Sequence, residues 1–436
     1  MAYGWLTYAT GRQQLAKRLA DPSNAFWTDA ELGLYLCESL RVWNALTFTW
    51  KTPFTFSVAA ASDAVWYSLG TLAGSPRSRT QTDSAVYTLT EYHLLEPPTG
   101  GLWTGTSQFA IADLALALQR CRDEAIQVTN CNQANPLPVE STPNSREIVL
   151  NDTWLDVSRV RWIPVSGPVT TLMRNDDTGL NLFQSDYLQT PAGTPAQYNI
   201  SSLPPLTMEF DIGPAVEGAF DLIVLEAGSA LVPPVASPLN VPDDHAWILK
   251  WGALADLLGR DSEATDDLRA TFCAQRYQEG LKLMQNTPWV MEARINNVSA
   301  DLVSVSEMDQ YAPEWDSGSP DRQTVIFDGP DFLTVVPDPQ NILSVTLTLL
   351  ANAPVPVLDT DFLQCSRDVW DSILDYAQFL AMFKQGGAEF VAAVELEKRF
   401  MAAAKLTNER LAKLGLFVDV FDDQAKREDR ALERYA

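Results

Sequence analysis

The feature that most constrains this chain is an internal duplication that stays in register at an offset of 123 residues. Leu222-Ile223-Val224 falls on Val345-Thr346-Leu347, Asp243 on Ser366 and Trp247 on Trp370. Leu257 then falls on Leu380, Arg276 on Arg399 and Tyr277 on Phe400, with no gap needed between positions 220 and 281. Each copy reads as a β-rich stretch, a proline-containing connection and a helix–turn–helix. The spacing predicts helices over about 243–258 and 265–284 in one copy, and about 366–384 and 388–414 in the other. Asp243 and Ser366 are expected to cap the first helix of each pair. Two units are too few for a solenoid, so one β-plus-hairpin module is used twice.

Upstream of those helices the apolar alternation predicts strands. In the first copy these are 157–163, 169–173, 206–212 and 220–225; in the second, 324–327, 332–336 and 343–350. Prolines 164, 204, 205, 214, 337 and 339 bound them, as suits the short strands of a small sandwich or barrel. The N-terminus reads as a helical hairpin. Trp5, Tyr8, Leu15 and Leu19 form one stripe, and Thr28-Asp29-Ala30-Glu31 is a capping box in which Glu31 is expected to reach back. Leu32, Tyr35, Leu36, Leu40 and Trp43 follow at helical spacing. Residues 54–58, 65–69 and 86–89 then read as short β runs. Helical periodicity returns over 109–128, and a Pro/Asn-rich linker covers 130–144.

Composition narrows the function. Thirty-one basic against fifty-six acidic side chains leave a net charge of −25, with no basic cluster. A sequence-reading DNA protein needs the opposite sign, whereas a surface past which DNA slides needs this one. No unbroken apolar window of about 18 residues appears, so no membrane partner is expected. The start lacks the pattern of a secretory signal. Cys37, Cys121, Cys131, Cys273 and Cys365 include no CxxC pair, which predicts reduced, buried thiols rather than zinc or disulfides.

No nucleophile-elbow, zincin, Walker or dinucleotide pattern occurs, so no catalytic residue, metal or cofactor is assigned and the chain is expected not to be an enzyme. Asn175-Asp176-Asp177-Thr178-Gly179 lacks the calcium-loop spacing and reads as a turn. His245, beside Asp243 and Asp244, reads as a surface residue at a helix start. Trp247, Trp251 and Trp370 read as core. Trp103, Trp289 and Trp315, near turns, divide between local packing and subunit contact.

The opening Asp21-Pro22-Ser23-Asn24-Ala25-Phe26-Trp27-Thr28-Asp29-Ala30-Glu31-Leu32, continued by Tyr35, Glu38, Leu40, Arg41, Trp43 and Leu46, resembles the N-terminal hairpin of tailed-phage head–tail adaptor (neck, connector) proteins. The Pro214–Gly218 turn, the run 220–225, Trp251-Gly252-Ala253-Leu254-Ala255-Asp256-Leu257-Leu258 and Arg276-Tyr277 with Gly280 resemble their second half. The likeness covers roughly residues 1–290; the second copy departs from the simplest adaptors. It implies a bundle of about four helices with an inserted β element, in a ring, commonly a dodecamer, beneath the portal protein. Partners would be the portal, the tail or next neck-ring protein, and further copies of the chain, with phage DNA passing unbound. The protein would be made in the bacterial cytoplasm and end in the virion neck.

The expected architecture is therefore α+β: antiparallel helical hairpins forming a bundle, with small β sandwich or barrel modules inserted. Its divisions are a hairpin at 1–50, a small β insertion at 51–104, a helix at 105–131, a first β module plus hairpin at 145–288, a second at 289–415, and a C-terminal arm at 416–436. In the arm, Leu416, Phe417, Val420 and Phe421, with Leu432 and Tyr435 beyond, are candidate contacts to the portal or a neighbouring subunit. The charged stretch after them is too polar to build its own core. Two other readings stay open: a neck, collar or tail-ring component whose β modules bind carbohydrate or fibre proteins, and a hydrolase built on paired carboxylates.

Overall fold

Thr28 opens the first long helix as predicted, its hydroxyl accepting the Glu31 amide at 3.2 Å. Glu31 does not reach back. Its carboxylate takes Lys384 Nζ at 3.0 Å and the Tyr35 hydroxyl at 2.8 Å, because a buried acid gains more from a cation than from an amide. The computed structural model describes residues 4–58, 66–70, 79–94, 109–136, 138–176, 179, 190–201, 206–233, 235–260, 265–311, 315, 323–336 and 341–413. The expected arm contacts Leu416, Phe417, Val420, Phe421, Leu432 and Tyr435, and Trp103, lie outside them.

The chain is mixed α+β. Helices α1 (Tyr8–Arg18) and α2 (Asp29–Thr47) lead to β1 (Lys51–Val58) and β2 (Tyr67–Ser68). Then come α3 (Asp83–His93), α4 (Ile111–Thr129), β3 (Gln133–Ala134), β4 (Val139–Ser141) and β5 (Glu147–Val149). Strands β6 (Trp154–Pro164), β7 (Thr170–Arg174), β8 (Gln197–Ile200), β9 (Thr207–Phe210) and β10 (Gly218–Glu226) precede α5 (Trp247–Leu258) and α6 (Asp267–Gln285). Strands β11 (Val290–Ile295) and β12 (Val298–Ser304), helix α7 (Val305–Tyr311), and strands β13 (Thr324–Asp328), β14 (Phe332–Val336) and β15 (Leu343–Leu350) follow. Helices α8 (Trp370–Phe383) and α9 (Gly387–Lys413) complete the order.

The two sheets share one topology. One runs β1-β15-β11-β12-β13-β14-β2 and the other β3-β10-β6-β7-β8-β9-β5, with β4 also on β10. Position for position these orders correspond, and each sheet has a single parallel pair at the same place, β12 with β13 and β7 with β8. The helices correspond too. α1 and α3 each have 11 residues, and α2 and α4 each have 19. Both long helices end on a left-handed residue, Phe48 at φ 50° and Asn130 at φ 53°. Asn adopts that region readily; Phe48 does so at a cost offset by complete burial of its ring.

The duplication thus extends well beyond the register seen in the sequence, and it is nested. An inserted repeat (α3 to α6) interrupts an outer repeat, which begins with α1 to β2 and resumes at β11. The entry clasp is repeated as well. Thr7 bridges Phe362 ahead of α1, and Thr82 bridges Pro238 ahead of α3.

This arrangement corrects several expectations. Residues 51–58 form no separate β module; β1 pairs antiparallel with β15 along its whole length and completes the outer sheet. Residues 86–89 are helical within α3. Val86, Tyr87, Thr90 and Glu91 are buried there, so tertiary packing overrides the β preference of Val, Tyr and Thr. In each β module the fourth strand of the order, β12 or β7, gives its first half to β11 or β6 and its second half to β13 or β8. The sheet thereby curls around an apolar cluster drawn from its own strands, such as Val157, Trp162, Phe210 and Phe220. Asp243 and Ser366 do not cap α5 and α8, neither of which has a side-chain cap. Asp243 instead accepts from the Thr80 hydroxyl and the Gln81 amide, both at 2.8 Å, fastening the approach to α3.

A single apolar cluster joins the helices of both repeats and holds Trp27, Trp43, Trp247, Trp251 and Trp370. Gly280 permits the close approach of α6 to α5: a Cβ there would lie 2.7 Å from Ile248 Cγ1. Trp289 and Trp315 are buried, so they serve local packing.

Candidate functional site

Where the two repeats meet, the apolar cluster is threaded with ionised groups. Lys250, in the middle of the apolar run of α5, donates to both carboxylate oxygens of Glu38 on α2, at 2.6 and 2.7 Å. It also donates to Nε2 of His93 on α3 at 3.0 Å. An ammonium only donates, so Nε2 accepts and the proton of the neutral ring sits on Nδ1. Burial, with Lys250 beside it, holds His93 well below the usual histidine range. Burial also lowers Lys250, opposed by Glu38. Tyr35 and Trp251 stack on the two sides of the His93 ring, at 5.4 and 5.8 Å.

A second crossing joins α6 to the outer repeat. Arg276 Nη1 lies 3.2 Å from Glu397, and Nη2 donates to the Tyr376 hydroxyl at 3.4 Å. Burial pulls the guanidinium down, but Tyr376 and Glu397 outweigh it and hold Arg276 above its ordinary value. Around these pairs Trp251, Phe272, Phe379, Phe383 and Phe390 form one ring cluster drawn from both repeats. All three members of the Lys250 group are nearly solvent-free, so it is built to hold the repeats in one register rather than to meet a ligand. The repeat equivalents of Phe379, Phe383 and Phe390 are Asp256, Arg260 and Asp267. Asp256 and Arg260 instead form ion pairs with Arg120 and Asp113 on α4.

His245 is buried rather than on the surface, its ring tilted against that of Trp289 at 5.1 Å, with Nε2 3.2 Å from the Thr287 hydroxyl. Beside it Asp244 Oδ2 accepts from Asn44 Nδ2 at 2.6 Å and the Ala353 amide at 2.8 Å, while Oδ1 has no protein partner. Both line a cavity of about 20 Å³ with Arg79, Trp289 and Leu350, enough for about one water. Burial raises Asp244 to about 7 and lowers His245 to about 3. The contribution of Asp244 is therefore full below about 3.8 and lost as pH rises through about 7; that of His245 is present above 6.5 and lost as pH falls toward 3. Asp244→Asn should keep both hydrogen bonds through Oδ1 and remove the loss on the alkaline side. Urea titrations should show the variant gaining about 1–3 kcal/mol on the native chain between pH 4 and pH 8. Parallel curves for the two proteins would show that Asp244 ionises normally.

The surface repeats itself as the fold does. At one end of the inserted sheet, Val165 and Val216 are exposed, with the Val165 amide donating to Glu217 O at 2.9 Å. At the same end of the outer sheet, Val298 and Ile342 are exposed, 66% and 74%, where the Asn296 amide donates to Ser344 O. Branched aliphatics at equivalent tips of both modules mark candidate contact points. A second concavity, about 380 Å³ and open, adjoins Val298 and is lined by Ser299, Asp301 and Gln323. Among the described residues, neither it nor the cavity at Asp244 is lined by two carboxylates.

Among the described residues no group of three or more His, Cys, Asp or Glu is placed to hold a metal ion. Nor is any of their helices long and apolar enough to cross a membrane. Asp176 accepts from the Gly179 amide; Asp177 and Thr178 of the expected turn lie outside the described residues.

Lys250, Glu38 and His93 are not among the residues singled out by sequence, although one lysine inside Trp247-Ile248-Leu249-Lys250-Trp251 is itself a signal, since such a cation needs a buried partner. The first half of the duplication is also legible in the chain. Ala30, Glu31, Leu32, Leu34, Leu36 and Thr47 fall on Ala112, Asp113, Leu114, Leu116, Leu118 and Thr129 at an offset of 82 residues. No protein-family model matches the chain, and no curated protein matches it.

Proposed function

We propose that this chain is a structural subunit of a tailed-phage particle: an adaptor in the ring that connects the portal to the tail and lines the DNA passage, with no chemistry of its own. The observation that carries this reading is the pair of like-ordered sheets, each with an exposed aliphatic tip, set on one ion-paired helical platform. A rigid platform with two equivalent contact points suits attachment to a partner that repeats around an axis. In this reading the helical hairpins form the bundle of the collar, and the net charge of −25 lets DNA pass without sticking. Leu416, Phe417, Val420, Phe421, Leu432 and Tyr435 reach the portal or the neighbouring subunit. The exposed tips also favour a second reading, a collar or tail-ring component whose β modules hold fibre proteins.

The test is direct. Purified protein added to DNA-filled heads that lack a neck should appear in cryo-EM class averages as a closed ring at the portal vertex. Decoration away from that vertex would favour the fibre-holding reading. Heads left bare by saturating protein would sink both.

A further inference from the structure

We propose that a single water molecule bridges Asp244 and His245 at the point where the chain passes between its two repeats. Asp244 Oδ2 is already used, accepting from Asn44 Nδ2 at 2.6 Å and from the Ala353 amide at 2.8 Å. Oδ1 is left over. On the His245 ring, Nε2 lies 3.2 Å from the Thr287 hydroxyl. That hydroxyl has one hydrogen and donates it to Leu283 O at 2.8 Å, so toward the ring it can only accept. Burial lowers His245 to about 3, so near pH 7 the ring carries one proton, and that proton sits on Nε2. Nδ1 is therefore an acceptor.

Neither Oδ1 nor Nδ1 has a hydrogen-bond partner among the described residues, the other included. A carboxylate oxygen and an imidazole lone pair cannot satisfy each other. Asp244 and His245 are 3% and 1% exposed, so bulk solvent does not serve them either. The missing group is a small one with two hydrogens to give. Both residues line the same cavity of about 20 Å³, above the roughly 10–15 Å³ that one water needs, and two polar partners are the minimum that holds it. When Asp244 keeps its proton, the same water turns to accept from Oδ1 and still donates to Nδ1. Arg79 is also in the lining, which makes a second cation the poorer occupant.

The site belongs to the junction and not to the repeated module. The repeat equivalents of Asp244 and His245 are Arg367 and Asp368, and both are exposed. What buries the pair is the meeting of the turn ahead of α5 with other segments: Leu350 at the end of β15, Pro330 between β13 and β14, and Trp289 in the crossing from α6 to β11. Asp244 reaches α2 through Asn44 and the exit from β15 through Ala353; His245 reaches the residues just past α6 through Thr287. The water joins these two sets into one chain, Thr287 to His245 to water to Asp244, and so ties the way out of the inserted repeat to the outer one.

Crystals of the full chain, grown in sodium salts and again with rubidium in place of sodium, test this. Both should show one peak within about 3.2 Å of Asp244 Oδ1 and His245 Nδ1, without the anomalous signal of rubidium. An anomalous peak would make the occupant a monovalent cation, and ordered side chains with no peak between them would leave the two acceptors unbridged; either result overturns the proposal. Nitrogen NMR of the histidine-labelled chain near pH 7 gives a check in solution, since the chain has only two histidines. His245 should carry its proton on Nε2, opposite to His93. A proton on Nδ1 of His245 would remove the acceptor and sink the bridge.

Discussion

Replacing Lys250 by Met should destabilise the chain by about 3–5 kcal/mol, because it leaves the Glu38 carboxylate buried without its cation. Glu38 is 3% exposed and Lys250 fully buried, so water cannot replace the lost donor. His93 loses its donor in the same substitution, and its Nδ1 already has no protein partner. The compensating change is Glu38→Leu. Removing both charges from an apolar setting should recover most of the loss, since the pair has to offset its own desolvation before it contributes anything. Urea denaturation of the native chain, both single variants and the double variant forms a complete cycle. If Lys250→Met alone costs less than about 1 kcal/mol, the ammonium is already reached by water and the seam is not sealed.

Trp247→Ala and Trp370→Ala should each cost about 3–5 kcal/mol, the range for emptying a large aromatic site in a core that relaxes only in part. The two rings are repeat equivalents but hold different things. Trp370 packs edge-on against Trp5 at 6.2 Å and donates from Nε1 to Gln14 Oε1 at 2.7 Å, binding the first hairpin of the outer repeat to its last. Gln14 is only half-buried, so its lost partner is replaced by water and the cost lies in the void. Trp247 lies under the Arg276 guanidinium at 5.4 Å, next to the seam. Its loss should therefore couple to Glu397→Gln, whereas the loss of Trp370 should simply add to it. Thermal melts that move by less than about 2 °C for either variant would contradict the burial of that ring.

Local pattern carried the helices that begin with a cap or keep a long apolar stripe: Thr28 before α2, the run Ile111, Leu114 and Leu118 of α4, and both hairpins of the register at 123. It failed at 86–89, where Val, Tyr and Thr carry a β preference that burial in α3 overrides. It also failed at His245, whose acidic neighbours suggested solvent. Asp243 and Asp244 are themselves buried and paired inside the molecule.

The existence of the repeat, the strand-rich and helix-rich stretches and the acidic charge all lie in neighbouring residues or in a register that can be read along the chain. The nesting does not. β1 finds β15 about 300 residues away, and nothing within either strand specifies the other beyond an apolar alternation that many strands share. That choice falls to the closure of a whole sheet around its own core. The seam belongs to the same class. Lys250 is marked by its apolar neighbours as needing a partner, but nothing near it in the chain names Glu38 or His93. The three become one group only when two repeats, one inserted in the other, bury them at a common point where each charge must find its partner or unfold the site.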